Sequence, residues 1–471
     1  MHGEPTATMS DGPKTATSPS YGLREGALSP METLAQSVST IAPSTSPTFT
    51  VPLVFALAGA GTALAYGAAL GLMVLVALCV ASFARESSSP GSIYVYTQKS
   101  LPPVCAALTA WALFFAYVMT AASVIGGFES FAISLMGRWA GYIAAMKLAL
   151  LLELIAAGGA MYVAYRDVKV SAQLMLWIEA ISVFLIAVVV AATLWRHGWH
   201  FDHRQVAVHT MSPSGMRLGV MLAIFSFVGF ESATTLGAEA RDPLRTIPRA
   251  VILSAVLVGV FFIVCAYGEV MGFRGAATPL DANSSPIPYL AAQAGIGFIG
   301  PVINAGVLVS MFACTLSCVI AASRVMMLMA HHGLAHKRLT KTHAKNDTPG
   351  GASVLAAVLA FVLAAAATLR GASGADIYGW MGTMAVFGFL TAYAMGAVAL
   401  LAHLKKEKRL GFGSVVLTTS AALAMVAVMV GNVWPVPPAP YKYFPTVYAA
   451  YLVLALGWMG VVRMRDAKSV Q

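Results

Sequence analysis

From about residue 29 onward, long apolar runs alternate with short polar intervals. The runs lie near 29–58, 62–83, 102–127, 141–164, 171–195 and 216–239, then near 248–272, 298–329, 351–369, 378–403, 413–431 and 445–462. Each reaches or approaches the roughly 20 apolar residues that carry a helix across a bilayer. The longest intervals, before Gly215 and before Phe298, are about 20 residues, well under the ~50 residues of a small independent domain. The pattern therefore predicts an all-α membrane protein of about twelve transmembrane helices, with no soluble domain between them.

Composition agrees with the pattern. The 471 residues are 58% hydrophobic and only 10% charged, whereas about a quarter of a soluble domain is charged. A core shielded from water cannot hold that much apolar surface, but a bilayer can act as its solvent. Residues 1–26 read as a disordered cytoplasmic tail rich in Pro, Ser, Thr and Gly, as in MSDGPKTATSPS. No short apolar run follows its basic residues directly, so it is not read as a signal peptide. With both termini in the cytoplasm, most of the 29 Lys and Arg residues fall in inner segments, including Lys337-Arg338, Lys405-Lys406 and Lys408-Arg409. That topology accounts for the net charge of +10 without a nucleic-acid partner. The five cysteines lie in apolar spans and read as packing residues, including Cys314 and Cys318 at i, i+4. The histidine groups His197/His200/His203 and His331/His332/His336/His343 fall in loops, and no metal or cofactor is expected.

Two spans carry interruptions. The first holds Thr40-Ile41-Ala42-Pro43-Ser44-Thr45-Ser46-Pro47. Two prolines four apart remove two backbone donors and clash with the preceding turn. Either a kink in a packed helix or an unwound stretch offering its backbone to a ligand fits that string. The sixth span holds Phe225-Ser226-Phe227-Val228-Gly229-Phe230-Glu231-Ser232, an acid beside a glycine among aromatics at membrane depth. The interruptions fall in the first helix of each of two successive five-helix sets, which is the pointer to an inverted-repeat transporter. The division this implies is 27–197 and 198–404 for the two halves, with 405–471 holding helices 11 and 12 and a short cytoplasmic tail. Half-helix ends at the midplane would complement the charged ends of a substrate.

The stretch FSFVGFESATTLGAEARDPLRTIPRAVILS, residues 225–254, closely resembles the sixth-helix signature of the amino acid–polyamine–organocation permeases. Its blocks are Gly229-Phe230-Glu231, Glu239, Asp242-Pro243 and Ile247-Pro248-Arg249-Ala250. Ser89-Pro90-Gly91-Ser92-Ile93-Tyr94 is similar to the Pro-x-Gly-x-x-Tyr segment before helix 3 of that family. Ala321-Ala322-Ser323-Arg324-Val325, followed by His332-Gly333 and Thr348-Pro349, is similar to its helix 8 end and following loop. The resemblance covers about residues 25–465 in consistent order. It implies a twelve-helix, five-plus-five inverted-repeat fold with a substrate pocket between broken helices 1 and 6. Backbone groups around Ala42, Pro43, Ser44 and Thr45 would hold one end of the substrate, and those near Phe227, Val228 and Gly229 the other, with Phe225 or Phe230 closing over it. This chain has Ala-Pro-Ser-Thr-Ser where many relatives have Gly-Ser/Ala-Gly. It also places Glu179 near the position where some proton-coupled relatives carry a helix 5 lysine.

Three carboxylates sit at membrane depth and are candidates for proton coupling: Glu153 in span 4, Glu179 in span 5 and Glu231 at the helix 6 break. A buried carboxyl that gains charge only beside water or a cation has the chemistry such coupling needs; a neutral Glu bonded to a carbonyl is the structural alternative. Glu239, Arg241, Asp242, Arg249 and Arg324 are candidates for a cytoplasmic gate, or else solvated loop charges obeying the positive-inside bias. The sequence contains no G-x-x-x-x-G-K-[ST] phosphate loop, no H-E-x-x-H and no G-x-S-x-G elbow. The expected function is therefore secondary active transport of amino acids across the cytoplasmic membrane, not enzymic catalysis. Proton-coupled uptake of a neutral amino acid is the favoured form. The alternatives are amino acid/polyamine exchange, a cationic substrate, or a transport-inactive sensor.

Overall fold

Among the residues described by the computed structural model there are helices and no strand, only an isolated bridge between Leu28 and Ala240. The described residues are 21–87, 89–140, 148–166, 169–208, 211–343 and 346–468, with side chains at all of these except 137–140, 169–175 and 460–468. Residues 1–20 of the expected tail, and 141–147 at the expected start of the fourth span, lie outside them.

The α-helices in chain order are α1 (Pro30–Ile41), α2 (Val51–Ala58), α3 (Thr62–Ala84), α4 (Ser92–Ser100), α5 (Pro103–Ala140), α6 (Ala149–Tyr165), α7 (Lys169–Arg196) and α8 (Pro213–Phe225). They continue as α9 (Pro243–Gly272), α10 (Pro286–Gln293), α11 (Gly300–His331), α12 (Gly350–Thr368), α13 (Gly374–Lys406), α14 (Phe412–Val433) and α15 (Phe444–Lys468). Eight helical stretches among the described residues are long and apolar enough to cross a membrane; α6 and α8 are apolar but shorter. The first of the eight, Pro30–Ala84, contains both the helix 1 interruption and a turn at Gly59.

Local sequence sets where helices start. Ser29-Pro30-Met31-Glu32 forms a capping box: the Glu32 amide donates to Ser29 Oγ at 3.3 Å and the Ser29 amide to Glu32 Oε2 at 2.7 Å. Two otherwise orphaned donors are thereby satisfied, with Pro30 placed where it costs no hydrogen bond. Ser373 and Asp376 repeat the device at the start of α13.

Helices α5, α11 and α13 form the buried centre, while α7 and α14 lie at the periphery. With hydrocarbon outside, apolar burial gives little drive, and close backbone approach through small residues matters more. At Gly388 of α13 a methyl group would stand 2.6 Å from the Ala112 carbonyl oxygen of α5. The outward faces expose Leu154, Ile155, Trp177, Phe184, Leu257, Leu423 and Leu454, a surface suited to lipid rather than water.

The two interruptions are real breaks in the helices, and they meet. Helix α1 ends at Ile41; Ala42 takes left-handed φ 50° directly before Pro43, and after a turn the chain resumes as a π-helical stretch, Ser46–Thr50, leading into α2. The sixth apolar run, expected near 216–239 with an interruption at 225–232, is α-helical only to Phe225. Turns follow, then a 3-10 stretch at Ser232–Leu236. The cause is Gly229, at φ +98°, which places its backbone against α1: a Cβ there would lie 2.2 Å from Thr40 Cγ2. Side chains stitch the crossing. Ser37 Oγ donates to the Phe230 carbonyl at 2.6 Å, the Thr40 and Ser232 hydroxyls pair at 2.9 Å, and the Cys314 thiol donates to the Thr40 carbonyl at 3.1 Å.

Outside the apolar region, Glu86 joins the loop after α3 to the end of α13. Its carboxyl pairs with His403 Nε2 at 2.7 Å and with Arg409 Nη1 at 2.6 Å. Partial burial alone would raise its pKa, but these hydrogen bonds and the charges behind them win, holding it below the ordinary carboxylate range. A lowered folded-state pKa gives stability that is present above the unfolded value and lost as pH falls through the folded one. Glu86→Gln should therefore lower the thermal midpoint of detergent-solubilised protein at neutral and mildly acidic pH. The difference from the parent should vanish only below the ordinary carboxylate range.

Gly229→Ala should be costlier, because it combines overlap with a backbone conformation worth about 1–3 kcal/mol of strain for a residue with a Cβ. Adding Thr40→Ser removes the nearest clashing atom but leaves the Cβ at 2.8 Å and the strain. The double variant should recover part of the lost thermal midpoint, and full recovery would show that overlap alone matters.

Candidate functional site

At the helix 1 interruption the backbone is already engaged. The Ser44 amide donates to Glu179 Oε1 at 2.7 Å, and Ser44 Oγ to Oε2 at 3.2 Å. Pro43 has no N–H, and the Thr45 amide donates to the Ala42 carbonyl at 2.9 Å. Glu179, on α7, is buried, so this peripheral helix supplies the acceptor that the broken helix lacks. The arrangement has a simple property: a single amide cannot fully serve both Glu179 and a second carboxylate. Thr45 Oγ1 reaches Ser310 Oγ of α11 at 3.5 Å, tying the same turn to the buried centre.

The helix 6 interruption carries the second carboxyl. Glu231 is fully buried, with Oε1 accepting from Tyr117 Oη of α5 at 2.7 Å and Oε2 from Tyr393 Oη of α13 at 2.6 Å. Both oxygens are thus occupied by phenols from the two central helices. Three residues on, Thr234 Oγ1 donates to Ser92 Oγ at 2.6 Å. Ser92 stands at φ 53° at the start of α4. The Pro90-Gly91-Ser92 turn therefore acts as a brace for the far side of the helix 6 break.

The aromatic residues of the break point three ways. Phe225 meets Tyr378 edge-on at 5.6 Å between centroids; Tyr378 also packs on Phe49 at 4.8 Å and pairs through its hydroxyl with Thr50 Oγ1 at 2.8 Å. Phe227 turns to Tyr66 and Phe262, and Phe230 to Tyr393. Val228 is buried in the same core as these rings. Phe225 and Phe230 thus lie on different sides of the interruption, with Phe225 joined to the α2 end of helix 1.

Of the five gate candidates, the fold pairs two. Arg324 of α11 grips Glu239 with two hydrogen bonds, Nε to Oε2 at 2.6 Å and Nη2 to Oε1 at 2.9 Å, both side chains being about one-tenth exposed. Taking one partner away from such a pair leaves a buried charge, which costs about 3–5 kcal/mol. Arg241 instead holds the N-terminal segment: its amide donates to the Leu28 carbonyl at 2.8 Å and its Nε to the Gly26 carbonyl at 3.0 Å. The Leu28 amide in turn donates to the Glu239 carbonyl at 2.9 Å. Tyr21 stacks edge-on against His331 and Arg24 pairs with Asp347 at 3.5 Å, so residues 21–28 form a strap across this end. Asp242 precedes α9 in a left-handed conformation, and Arg249 is exposed. Behind the strap lies a cleft of about 860 Å³, mouth included, lined by Gln36, Ser39, Glu239, Ser317 and Arg324.

Glu153 stands apart from the breaks. Its Oε1 accepts from Thr368 Oγ1 of α12 at 2.5 Å, near Glu129 of α5. Tyr117 and Tyr393 are site residues that nothing in the sequence singles out, while Ser92 lies in the block 89–94 without being marked there as a site residue. A tyrosine in an apolar span gives no signal beyond its hydroxyl, and its pairing with Glu231 spans 114 or 162 residues of chain. Glu269 is a further residue absent from the sequence-based candidates, although it is an acid inside the seventh apolar run and fully buried.

The model of the amino acid permease family matches residues 38–469. The branched-chain amino acid permease BcaP of Bacillus subtilis (strain 168) is 22% identical over 428 residues, covering 86% of this chain and 83% of that protein. The human cationic amino acid transporter 4 is 25% identical over 331 residues, 65% of this chain and 49% of that protein. The low-affinity putrescine importer PlaP of Escherichia coli (strain K12) is 25% identical over 320 residues, 63% and 66% respectively. With nearly its whole helical length matched, the chain belongs to the amino acid permease family, a family of multi-pass membrane transporters.

Proposed function

We propose that this permease is a secondary active transporter that carries a neutral amino acid across the cytoplasmic membrane with protons. In this reading twelve spans are arranged as a five-plus-five inverted repeat, with halves 27–197 and 198–404, helices 11 and 12 in 405–471, and both termini in the cytoplasm. The observation that carries it is the crossing of two interrupted helices at Gly229 and Thr40, with one buried carboxyl bonded at each interruption.

The substrate sits between the interruptions, its carboxylate toward Ala42–Thr45 and its ammonium toward the carbonyls of Phe227–Gly229, with Phe225 closing over it. Glu179 and the substrate carboxylate compete for the Ser44 amide. An ionised Glu179 keeps the amide and repels a second anion; a protonated one is a weaker acceptor and lets the amide go. Protonation thus precedes substrate binding, which couples the two. Glu231 already accepts a phenol at each oxygen and is fully buried between the central helices, so it is less accessible to a cationic side chain, which supports a neutral substrate over a cationic one. Glu153, remote from both interruptions, serves as a secondary proton site. The Glu239–Arg324 pair, backed by Arg241 and with Asp242 and Arg249 at its rim, closes the cytoplasmic path. The name of the BcaP relative supports a branched aliphatic substrate, while that of the PlaP relative supports an amine as the second reading.

Reconstituted protein given radiolabelled L-leucine, L-lysine or putrescine should accumulate L-leucine only under an inward proton gradient. Glu179→Gln should cut that accumulation about tenfold or more while leaving gradient-free exchange of L-leucine in place, as expected when a coupling step and not the pocket is lost. Uptake that needs only preloaded internal substrate would turn the reading into exchange. Binding of L-leucine without accumulation would turn it into a sensor.

A further inference from the structure

The proton-coupled reading leaves one buried acid without a task. Glu269 lies on α9, one turn before its end at Gly272, and is 0% exposed. Neither of its carboxyl oxygens has a hydrogen-bond partner among the described residues. Buried acids are normally paired, because an ionised carboxylate with no donor and no counter-charge is among the costliest things an apolar interior can hold. In this conformation nothing among the described residues would compensate a charge on it. A leucine would fill similar space without any polar group to satisfy, so the ability to give up a proton is what the acid adds.

Its surroundings offer that proton a way in and a way on. The outward route is a polar cleft of about 800 Å³, mouth included, at the end of α9; Thr193, His197, Gly272, Arg274 and Gln293 are among its lining residues. The cleft reaches Gly272, three residues from Glu269. The inward side is Tyr66 of α3, which packs on Phe262 of α9, two turns before Glu269, at 5.8 Å between ring centroids, and whose hydroxyl pairs with Ser226 Oγ at 2.9 Å. Ser226 is the first residue after α8, so this contact ends on the helix 6 interruption itself.

The other groups around it are few. Cys265 shares the face of α9 one turn earlier. Helix α7 brings Val190 and Thr193 against Gly268 and Gly272, and α10 brings Leu290, none of them charged. In the adjoining loop Asp202 and Arg274 pair with each other, and Gln205 donates to the Tyr267 carbonyl at 3.1 Å. Arg196 and His197 line the cleft mouth.

We infer that Glu269 is a proton-binding site on the outer side of the transport path, loaded through the α9-end cleft and linked by Tyr66 and Ser226 to the helix 6 interruption. It binds one proton from the outer water and releases it toward the interruption, with no other bond made or broken. The inference rests on the proton-driven reading above, which the unmodified protein tests by itself; the variants below test Glu269.

The experiment compares two L-leucine measurements in proteoliposomes: accumulation driven by a proton gradient, across a series of external pH values, and counterflow without a gradient. Glu269→Gln should keep counterflow within about twofold of the parent, while gradient-driven accumulation falls about tenfold or more and loses its dependence on external pH. Glu269→Asp should keep accumulation with a displaced pH midpoint. The inference is overturned if Glu269→Gln retains the parent's pH profile, or if His197→Gln flattens that profile instead. It is equally overturned if Gln abolishes counterflow and accumulation together and Asp restores both at the parent's midpoint, which is the behaviour of a packing residue. A parent that shows no gradient-driven accumulation removes the proton-driven reading and this inference with it.

Discussion

In hydrocarbon, a helix that breaks must find partners for the backbone groups it frees, and the fold is organised around meeting that demand twice at one place. The two breaks lie against each other, so Ser37 and Thr40 of one and Ser232 of the other serve each other. What they cannot supply comes from outside: Glu179 from α7 accepts from the backbone of the first interruption, and Tyr117 and Tyr393 satisfy the buried Glu231 carboxyl that the second one carries. The two helices that deliver the phenols, α5 and α13, pack closely on each other. Even Pro90-Gly91-Ser92, remote in sequence, is fixed by its bond to Thr234.

Periodicity and composition make the helical class and the sites of the breaks legible, because both are local. Pro43, Pro47, Gly229 and Glu231 declare themselves within a few residues of chain. The order of blocks from Pro90 to Thr348 is enough to bring the family into view from the amino acids alone, and the family match over residues 38–469 agrees. What the breaks bond to is not legible in the same way. Glu179 and Ser44 are separated by 135 residues, and Tyr393 and Glu231 by 162. Nothing in either neighbourhood marks the other as its partner.

The charged residues show the same division. Glu239, Arg241, Asp242, Arg249 and Arg324 all stand out as charges beside apolar runs, but only burial separates the Glu239–Arg324 pair from the solvated remainder. Glu269 carries the sequence signal that Glu153 and Glu179 carry. Its distinction is the lack of any hydrogen-bond partner among the described residues, a property that only packing reveals.

The strap formed by residues 21–28 has a thermal consequence. Its bonds to Glu239 and Arg241 tie it to the end where Glu239 pairs with Arg324. Ordering each residue of a chain costs about 1–2 kcal/mol of conformational entropy at room temperature. Releasing the strap returns that entropy, so opening this end trades bond enthalpy for chain disorder. If the gate proposed at this end opens, such an equilibrium shifts toward the open side on warming, and the end tied by residues 21–28 is then the temperature-sensitive one.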